Sequence, residues 1–290
     1  MKNKALFSLV ASMLIFGSIG ILRKYIPLSS GMVALARGII GFVFLYIFML
    51  IKKKPFSVGK TGKKPALLFL SGALMGFNWI LLFEAYNYTS VSVATLCYYM
   101  APVFVILASP FIFGEKLGAK KMGCVICAVL GMFFVSGVFE NGFGGAGELK
   151  GVFFGISAAV LYALVVILNK KITDVPSFEK TLVQLGSAAA VLLPYVILTE
   201  DFSKIEPEPF SIILLLVAGI VHTGIAYALY FGSIEKLPAQ TGAIFSYIDP
   251  VSAIFLSAVF LQEKLGFYGI IGAFLILESA VLNEIKTDKE

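Results

Sequence analysis

Charge is scarce in this chain. Asp, Glu, Lys and Arg together make 14% of its 290 residues, too little polar side chain to coat a soluble globule of that length, so a cytosolic enzyme is excluded. Cysteine is rarer still, and Cys97, Cys124 and Cys127 all lie in apolar runs, which argues against a disulfide framework or a redox role and makes them small apolar fillers. There is one histidine, His222. Cys124 and Cys127 have metal-like spacing but no second pair of ligands, so no metal site is expected. Nor is a nucleotide cofactor: Gly59-Lys60-Thr61 ends like a phosphate-binding loop, but the glycine needed five residues earlier is Lys54. Arginine occurs twice, at Arg23 and Arg37. The other basic residues are lysines in short clusters between apolar runs, so the net charge of +6 belongs to loops bordering a membrane and not to a nucleic-acid surface. The apolar start, 5 to 22, resembles a signal peptide but ends in Arg23-Lys24 with no small-x-small cleavage site, and is read as a first membrane span.

What the chain does have is apolar surface. Residues of the AVILMFWYC set make 59% before 28 glycines are added, against about 45–50% with glycine included in a soluble domain, and the mean hydropathy is +0.95. A spanning helix needs about 20 apolar residues. Ten segments qualify: 5 to 22, 31 to 51, 66 to 86, 91 to 113, 122 to 139, 151 to 168, 181 to 198, 210 to 231, 238 to 261 and 265 to 282. They are continuously apolar and lack the period-two alternation of a transmembrane strand. The predicted fold is therefore all-α and integral to the membrane, with ten transmembrane helices. With an odd-even alternation of loops, 17 basic residues fall on the side of the N-terminus and 5 on the other, which predicts both termini in the cytoplasm.

The two halves resemble each other. At an offset of 148 residues, 66 to 118 match 214 to 266 identically at 14 of 53 positions, including Gly76/Gly224, Phe83/Phe231, Tyr99/Tyr247, Pro102/Pro250 and the run Glu115-Lys116-Leu117-Gly118 on Glu263-Lys264-Leu265-Gly266. Five helices per half is an odd number, so the second copy must enter the membrane upside down. The expected organisation is 1–147 as a first five-helix repeat and 148–290 as a second, inverted one, a design that places a transporter's site near the midplane between the halves.

The stretches LFEAYNYTSVSVATLCYYMAPVFVILASPFIFGEKLGAKKMG and YALYFGSIEKLPAQTGAIFSYIDPVSAIFLSAVFLQEKLGFYGIIGAFLI, with Phe16-Gly17-Ser18 in the first span and Arg37 early in the second, resemble the drug/metabolite transporter superfamily, EamA-like branch. The likeness spans essentially the whole chain. It implies a bundle of two inverted five-helix repeats that moves a small metabolite by alternating access. The tryptophan common after the glycine-rich start of such proteins is Phe16 here, which fills a similar apolar volume.

An ionisable side chain at membrane depth costs about 2.5–3.5 kcal/mol on insertion scales, so each is a functional candidate. Those inside spans are Arg37, Glu84, His222, Asp249 and Glu278. At 1.5 Å per residue, Asp249 lies about 16 Å and His222 about 18 Å into its helix, both near the midplane. Asp249 aligns with Ala101 and His222 with Leu74, so neither is demanded by the fold common to both halves. Pro250 and Pro102 are expected to interrupt helices and free carbonyls where a cavity runs. Trp79 aligns with Tyr227 and Tyr99 with Tyr247, and Tyr98 and Tyr162 add further hydroxyls inside helices; buried, each needs a partner for its polar atom, which an aromatic-lined cavity supplies. The predicted substrate-binding set is Trp79, Tyr98, Tyr99, Tyr162, His222, Tyr227, Tyr247 and Asp249, with Arg37 and Glu84 as a charge pair or coupling groups. The competing reading is that the charges pair to hold the bundle and the aromatics only pack. The EKLG runs read as turn and capping chemistry.

The expected function is secondary transport of a small polar or amphiphilic metabolite, with an amino acid or related compound favoured by the resemblance and a proton as a candidate coupling ion. The partners are a small-molecule substrate and the lipid bilayer of a bacterial cell membrane. The rival is a membrane-embedded enzyme acting on a lipid-linked substrate, but such an enzyme clusters its acidic, His or Arg residues at the headgroup level, and here they are scattered singly.

Overall fold

A computed structural model describes residues 2–53, 64–89, 94, 97–135, 148–173, 175–201, 208–260 and 267–284. Among them, all regular structure is helical. In chain order the elements are α1 (Lys2–Lys24), α2 (Ser30–Ile51), α3 (Lys64–Tyr88), α4 (Ala101–Phe113), α5 (Ala119–Val135), α6 (Glu148–Lys171), α7 (Ser177–Thr199), α8 (Pro209–Gly219), a π-helical segment (Ile220–Ile225), α9 (Ala226–Ile234), α10 (Ala239–Phe245), α11 (Ile248–Phe260) and α12 (Phe267–Glu284).

Five stretches are long and apolar enough to cross a membrane: Ser30–Ile51, Pro65–Ala85, Leu149–Lys171, Ser177–Thr199 and Pro209–Ile234. Asn3–Ile19, Ala101–Phe113 and Phe267–Ser279 are shorter apolar helices. The bundle's outer surface carries large apolar side chains, with Phe111 91% and Leu198 84% exposed, a face that only lipid can cover. The protein is multi-pass. The loop 54–63 and the second EKLG run, 263–266, lie outside the described residues, as do 91–93 and 95–96 of the fourth predicted span.

Three predicted spans are not the single regular helices that the apolar runs suggest. The segment 238 to 261 is split into α10 and α11, with a turn at Ser246-Tyr247 held by Tyr247 N–H on the Ile244 carbonyl (3.2 Å) and Asp249 N–H on Ser246 (3.3 Å). Pro250 thus sits in the first turn of a new helix, where an N–H would lack an intrahelical acceptor anyway. The first half repeats the device: Tyr99-Met100 form the turn, with Met100 N–H on Cys97 (3.2 Å), and Pro102 enters the first turn of α4. The prolines begin helices and do not bend them. The other departure is the π-helical segment in the rod from Pro209 to Ile234; its counterpart by repeat lies within α3, which is α-helical throughout.

Packing is close because small residues stand where helices cross. α3 lies on α6 and α7, α1 on α9 and α11, α2 on α7 and the π segment, α4 on α6 and α10, and α5 on α12. A Cβ on Gly17 of α1 would strike the Asp249 carbonyl (2.6 Å) and the Ala253 nitrogen (2.9 Å) of α11, so only glycine lets these helices touch. Gly76 of α3 faces the Ala188 carbonyl of α7 in the same way, at 3.1 Å. Buried amides tie the same contacts: Asn78 donates to the Ala158 carbonyl at 2.6 Å, and Gln184 to Ser71 Oγ at 2.7 Å.

Two ends of the bundle can be distinguished. The near end gathers the start of α1 and α7 with the ends of α4, α6 and α9. Here Glu115 accepts from the N–H groups of Ala239 (2.7 Å) and Gln240 (3.2 Å) at the start of α10. Lys170 stands 3.6 Å from Glu115 and also donates to the Leu237 carbonyl, while Lys180 pairs with Glu235 at 2.9 Å and donates to the Ile172 carbonyl. The far end holds Tyr25 against Ser211 (3.4 Å) and Lys150 against Tyr88 (2.9 Å).

Candidate functional site

A cavity of about 230 Å3 opens between the helices, lined from α1, α2, α3, α6, α9 and the two turns described above. It lies in the far half of the bundle, since Ile19 is five residues short of the end of α1, Arg37 seven residues into α2 and Phe83 five residues short of the end of α3. The near half is filled by Tyr230, Phe231 and Ile234, all fully or almost fully buried.

One wall carries the cation. Arg37 is directed by its Nε–H to Thr223 Oγ1 (3.0 Å) and lies over the indole of Trp79, 5.3 Å from the ring centroid. The π segment makes this possible. In it the Thr223 hydroxyl bonds back to the carbonyl of Ala218 (2.8 Å), five residues earlier, which turns its oxygen toward α2. Aromatic rings continue the wall: Tyr227 packs at 4.9 Å from Phe16 and 6.4 Å from Trp79, measured between centroids. On the other side, Tyr98 stands 5.8 Å from Tyr99 and 5.6 Å from Tyr162.

The carboxylate comes from the α10–α11 turn. Asp249 is half-buried, lines the cavity and is reached by the Tyr99 hydroxyl. Tyr247, by contrast, is 1% exposed and spends its hydroxyl on the Tyr99 carbonyl at 2.9 Å. The two tyrosines are equivalent by repeat, yet one faces the cavity and its acid while the other pins the opposite turn.

Of the residues singled out in the sequence, Trp79, Tyr98, Tyr99, Tyr162, Tyr227, Asp249 and Arg37 line one cavity. Tyr247 lies behind it. His222 is buried in the π segment and also stands outside the lining, its Nε2 2.9 Å from Ser18 Oγ and its Nδ1 3.4 Å from the Val217 carbonyl. Glu84 lies outside the lining. Its carboxylate accepts from the Tyr195 hydroxyl at 3.0 Å across α3 and α7. Glu278 is exposed on α12. Missed by sequence reasoning were Met13, Phe16 and Ile19, whose three-residue spacing marks one face of α1, together with Leu82, Phe83 and Ser246.

Comparison with known proteins decides the family. The EamA-like transporter family matches the chain twice, over residues 3–137 and 149–284. The chain belongs to the EamA-like transporter family. Among similar EamA-like proteins is one described as "Uncharacterized transporter YxxF" of Bacillus subtilis (strain 168), 30% identical over 288 residues, covering 98% of this chain and 91% of that one. "Protein RarD" of Salmonella typhi is 30% identical over 210 residues, 71% of this chain and 68% of its own. A solved crystal structure superposes with a TM-score of 0.85 over 97% of both chains at 18% identity, which is a likeness of fold. This EamA-like protein is thus a membrane protein of a transporter family.

Proposed function

We propose that this protein is a secondary transporter that carries a small polar or amphiphilic metabolite, an amino acid or related compound being the favoured class, by alternating access. One observation carries the reading: a single cavity presents a guanidinium, a carboxylate and a wall of aromatic rings. A zwitterion with an apolar side chain answers all three. Its carboxylate suits the Arg37 fork, its ammonium suits Asp249 and its side chain suits Trp79, Tyr227 and Tyr162.

The architecture proposed is ten crossings in two repeats, 1–147 and 148–290, the second inverted. The helix contacts support it, because they come in pairs: α3 on α6 is answered by α9 on α1, α3 on α7 by the π segment on α2, and α4 on α6 by α11 on α1. Such a pairing is what a two-fold axis in the membrane plane generates. We assign the near end to the cytoplasm and the whole to a bacterial cell membrane, because the lysine-rich segments cluster there. With the near end sealed by Glu115, Lys170, Lys180 and Glu235 and the cavity in the far half, the conformation corresponds to an outward-disposed state. A proton is the coupling ion proposed, carried by Asp249, with His222 outside the lining, bonded to Ser18 and one residue from Thr223, the partner of Arg37.

Uptake and efflux of a panel of radiolabelled amino acids by the purified protein in liposomes, with and without a pH gradient, tests this. Saturable counterflow of at least one zwitterion is expected. Counterflow confined to purely cationic, purely anionic or uncharged compounds overturns the zwitterion assignment.

A further inference from the structure

A second cavity, of about 270 Å3, lies at the near end, far from the one just described. It is enclosed by the start of α1, the end of α9 and the N-terminus of α7, and its lining includes Lys4, Ser8, Ser177, Gly232, Ser233 and Lys236. Among the described residues no acidic side chain lines it. The charges at this end are already sorted: Glu115 is taken by Lys170 and the start of α10, and Glu235 by Lys180. Glu179, the acid in the first turn of α7, is 2% exposed and lies outside the lining. Lys4 and Lys236 are exposed and neither forms an ion pair among the described residues. Two lysines distant in sequence therefore line one hollow, with no ion-pair partner for either among the described residues.

The hydroxyls point the same way. Ser233 spends its proton on the Leu229 carbonyl at 2.7 Å. Ser8 and Ser177 make no such bond among the described residues, although other serines here turn theirs back on the helix. Ser177 opens α7, a helix of 23 residues that brings the positive end of its dipole to this level, where the N–H groups of Glu179 and Lys180 already bond the Pro176 carbonyl. Gly232 keeps the hollow open, since a Cβ there would come within 2.8 Å of Ser177 Oγ.

We propose that this hollow binds a phosphate-bearing anion, with Lys4 and Lys236 as its charge, Ser8 and Ser177 as its hydroxyl donors and the start of α7 as its floor. A phosphodiester of an anionic lipid and free phosphate share this chemistry. The position suits the lipid, because Lys4 lies one turn into α1 and Lys236 just beyond α9, at the level where spanning helices meet headgroups. Phe7 beside it is 76% exposed, an apolar surface for acyl chains. The assignment does not depend on what the central cavity carries.

Native mass spectrometry of the full chain, released from detergent with equal phosphatidylglycerol and phosphatidylcholine, is the first arm. The wild type should retain phosphatidylglycerol preferentially, and K4Q/K236Q should lose that preference by roughly 25-fold, on the order of fivefold per lysine. K4R/K236R should keep it. K52Q/K53Q, which removes the same charge at the near end of the bundle, just beyond α2, should also keep it. The second arm is thermal unfolding with inorganic phosphate. Stabilisation of the wild type and not of K4Q/K236Q, without a lipid preference, assigns the site to free phosphate. Equal losses in K4Q/K236Q and K52Q/K53Q show a diffuse basic surface and overturn the site, as does the absence of any effect in both arms.

Discussion

Arg37 is held on three sides, by Thr223, by the indole of Trp79 and by the cavity it faces. The indole shields the guanidinium without neutralising it, which leaves the charge available to an anionic group of a cargo. A desolvated cation–π contact contributes about 0.5–2 kcal/mol, so Trp79→Ala should raise KM for counterflow by roughly 2- to 30-fold with a smaller change in maximal rate. An unchanged KM would place the cargo elsewhere. Asp249 makes a different prediction. On the proposed coupling its carboxylate carries the proton, which the amide of Asn cannot do. Asp249→Asn should abolish the dependence of uptake on a pH gradient and leave exchange between equal concentrations in place, with the protein still eluting as a folded species. A retained pH response in this variant, and in His222→Ala, would make both groups structural. His222 is the weaker of the two, because Ser18 and the Val217 carbonyl occupy its ring nitrogens outside the lining.

At the level of elements, most of the helices follow from the apolar runs, because a run of that length in lipid has no other way to satisfy its backbone. What the pattern could not show is how the eighth and ninth runs are built inside. Hydropathy is blind to a π turn: IVHTGI is as apolar as its surroundings except for His222 and Thr223, and only the backbone's extra residue per turn aims Thr223 at Arg37. The proline positions were legible as irregularities, but not that each opens a new helix, since a proline suits both a kink and a first turn. The capping character of Glu115 was legible too. Its target was not, for the helix it caps begins 124 residues later. That long reach gives a test. Glu115 closes the near end with two N–H···carboxylate bonds and a lysine, each bond to a charged group being worth about 1.5–3 kcal/mol. Glu115→Gln should therefore open this end more often. A cysteine placed at Ser109, which now receives the Gln240 amide at 2.7 Å, should then react faster with a maleimide added from that side, in a protein lacking Cys97, Cys124 and Cys127. An unchanged rate would leave Glu115 as packing alone.

At the scale of the whole molecule, the two halves are built alike and used differently. The turn before α4 and the turn before α11 are twins, yet only the second supplies a carboxylate to the cavity, and among the described residues only the rod from Pro209 to Ile234 carries a π segment. On the alternating-access proposal, a symmetric frame would exchange its two ends, and an asymmetric lining would define one site for one cargo in both states. That arrangement requires the halves to lie upside down relative to each other, and so depends on the side of the membrane each loop occupies. The segment from Lys52 to Lys64 decides it, because Lys52, Lys53, Lys54, Lys60, Lys63 and Lys64 all fall there and moving that much charge across a bilayer is strongly opposed. A single cysteine introduced at Ser57 should resist a membrane-impermeant maleimide in intact cells and react once the membrane is permeabilised. A second cysteine at Leu149, at the start of α6 and 74% exposed, should react without permeabilisation. If both sites label from the same side, the number of crossings between them is even, and neither the inverted repeat nor the exchange of ends it permits can stand.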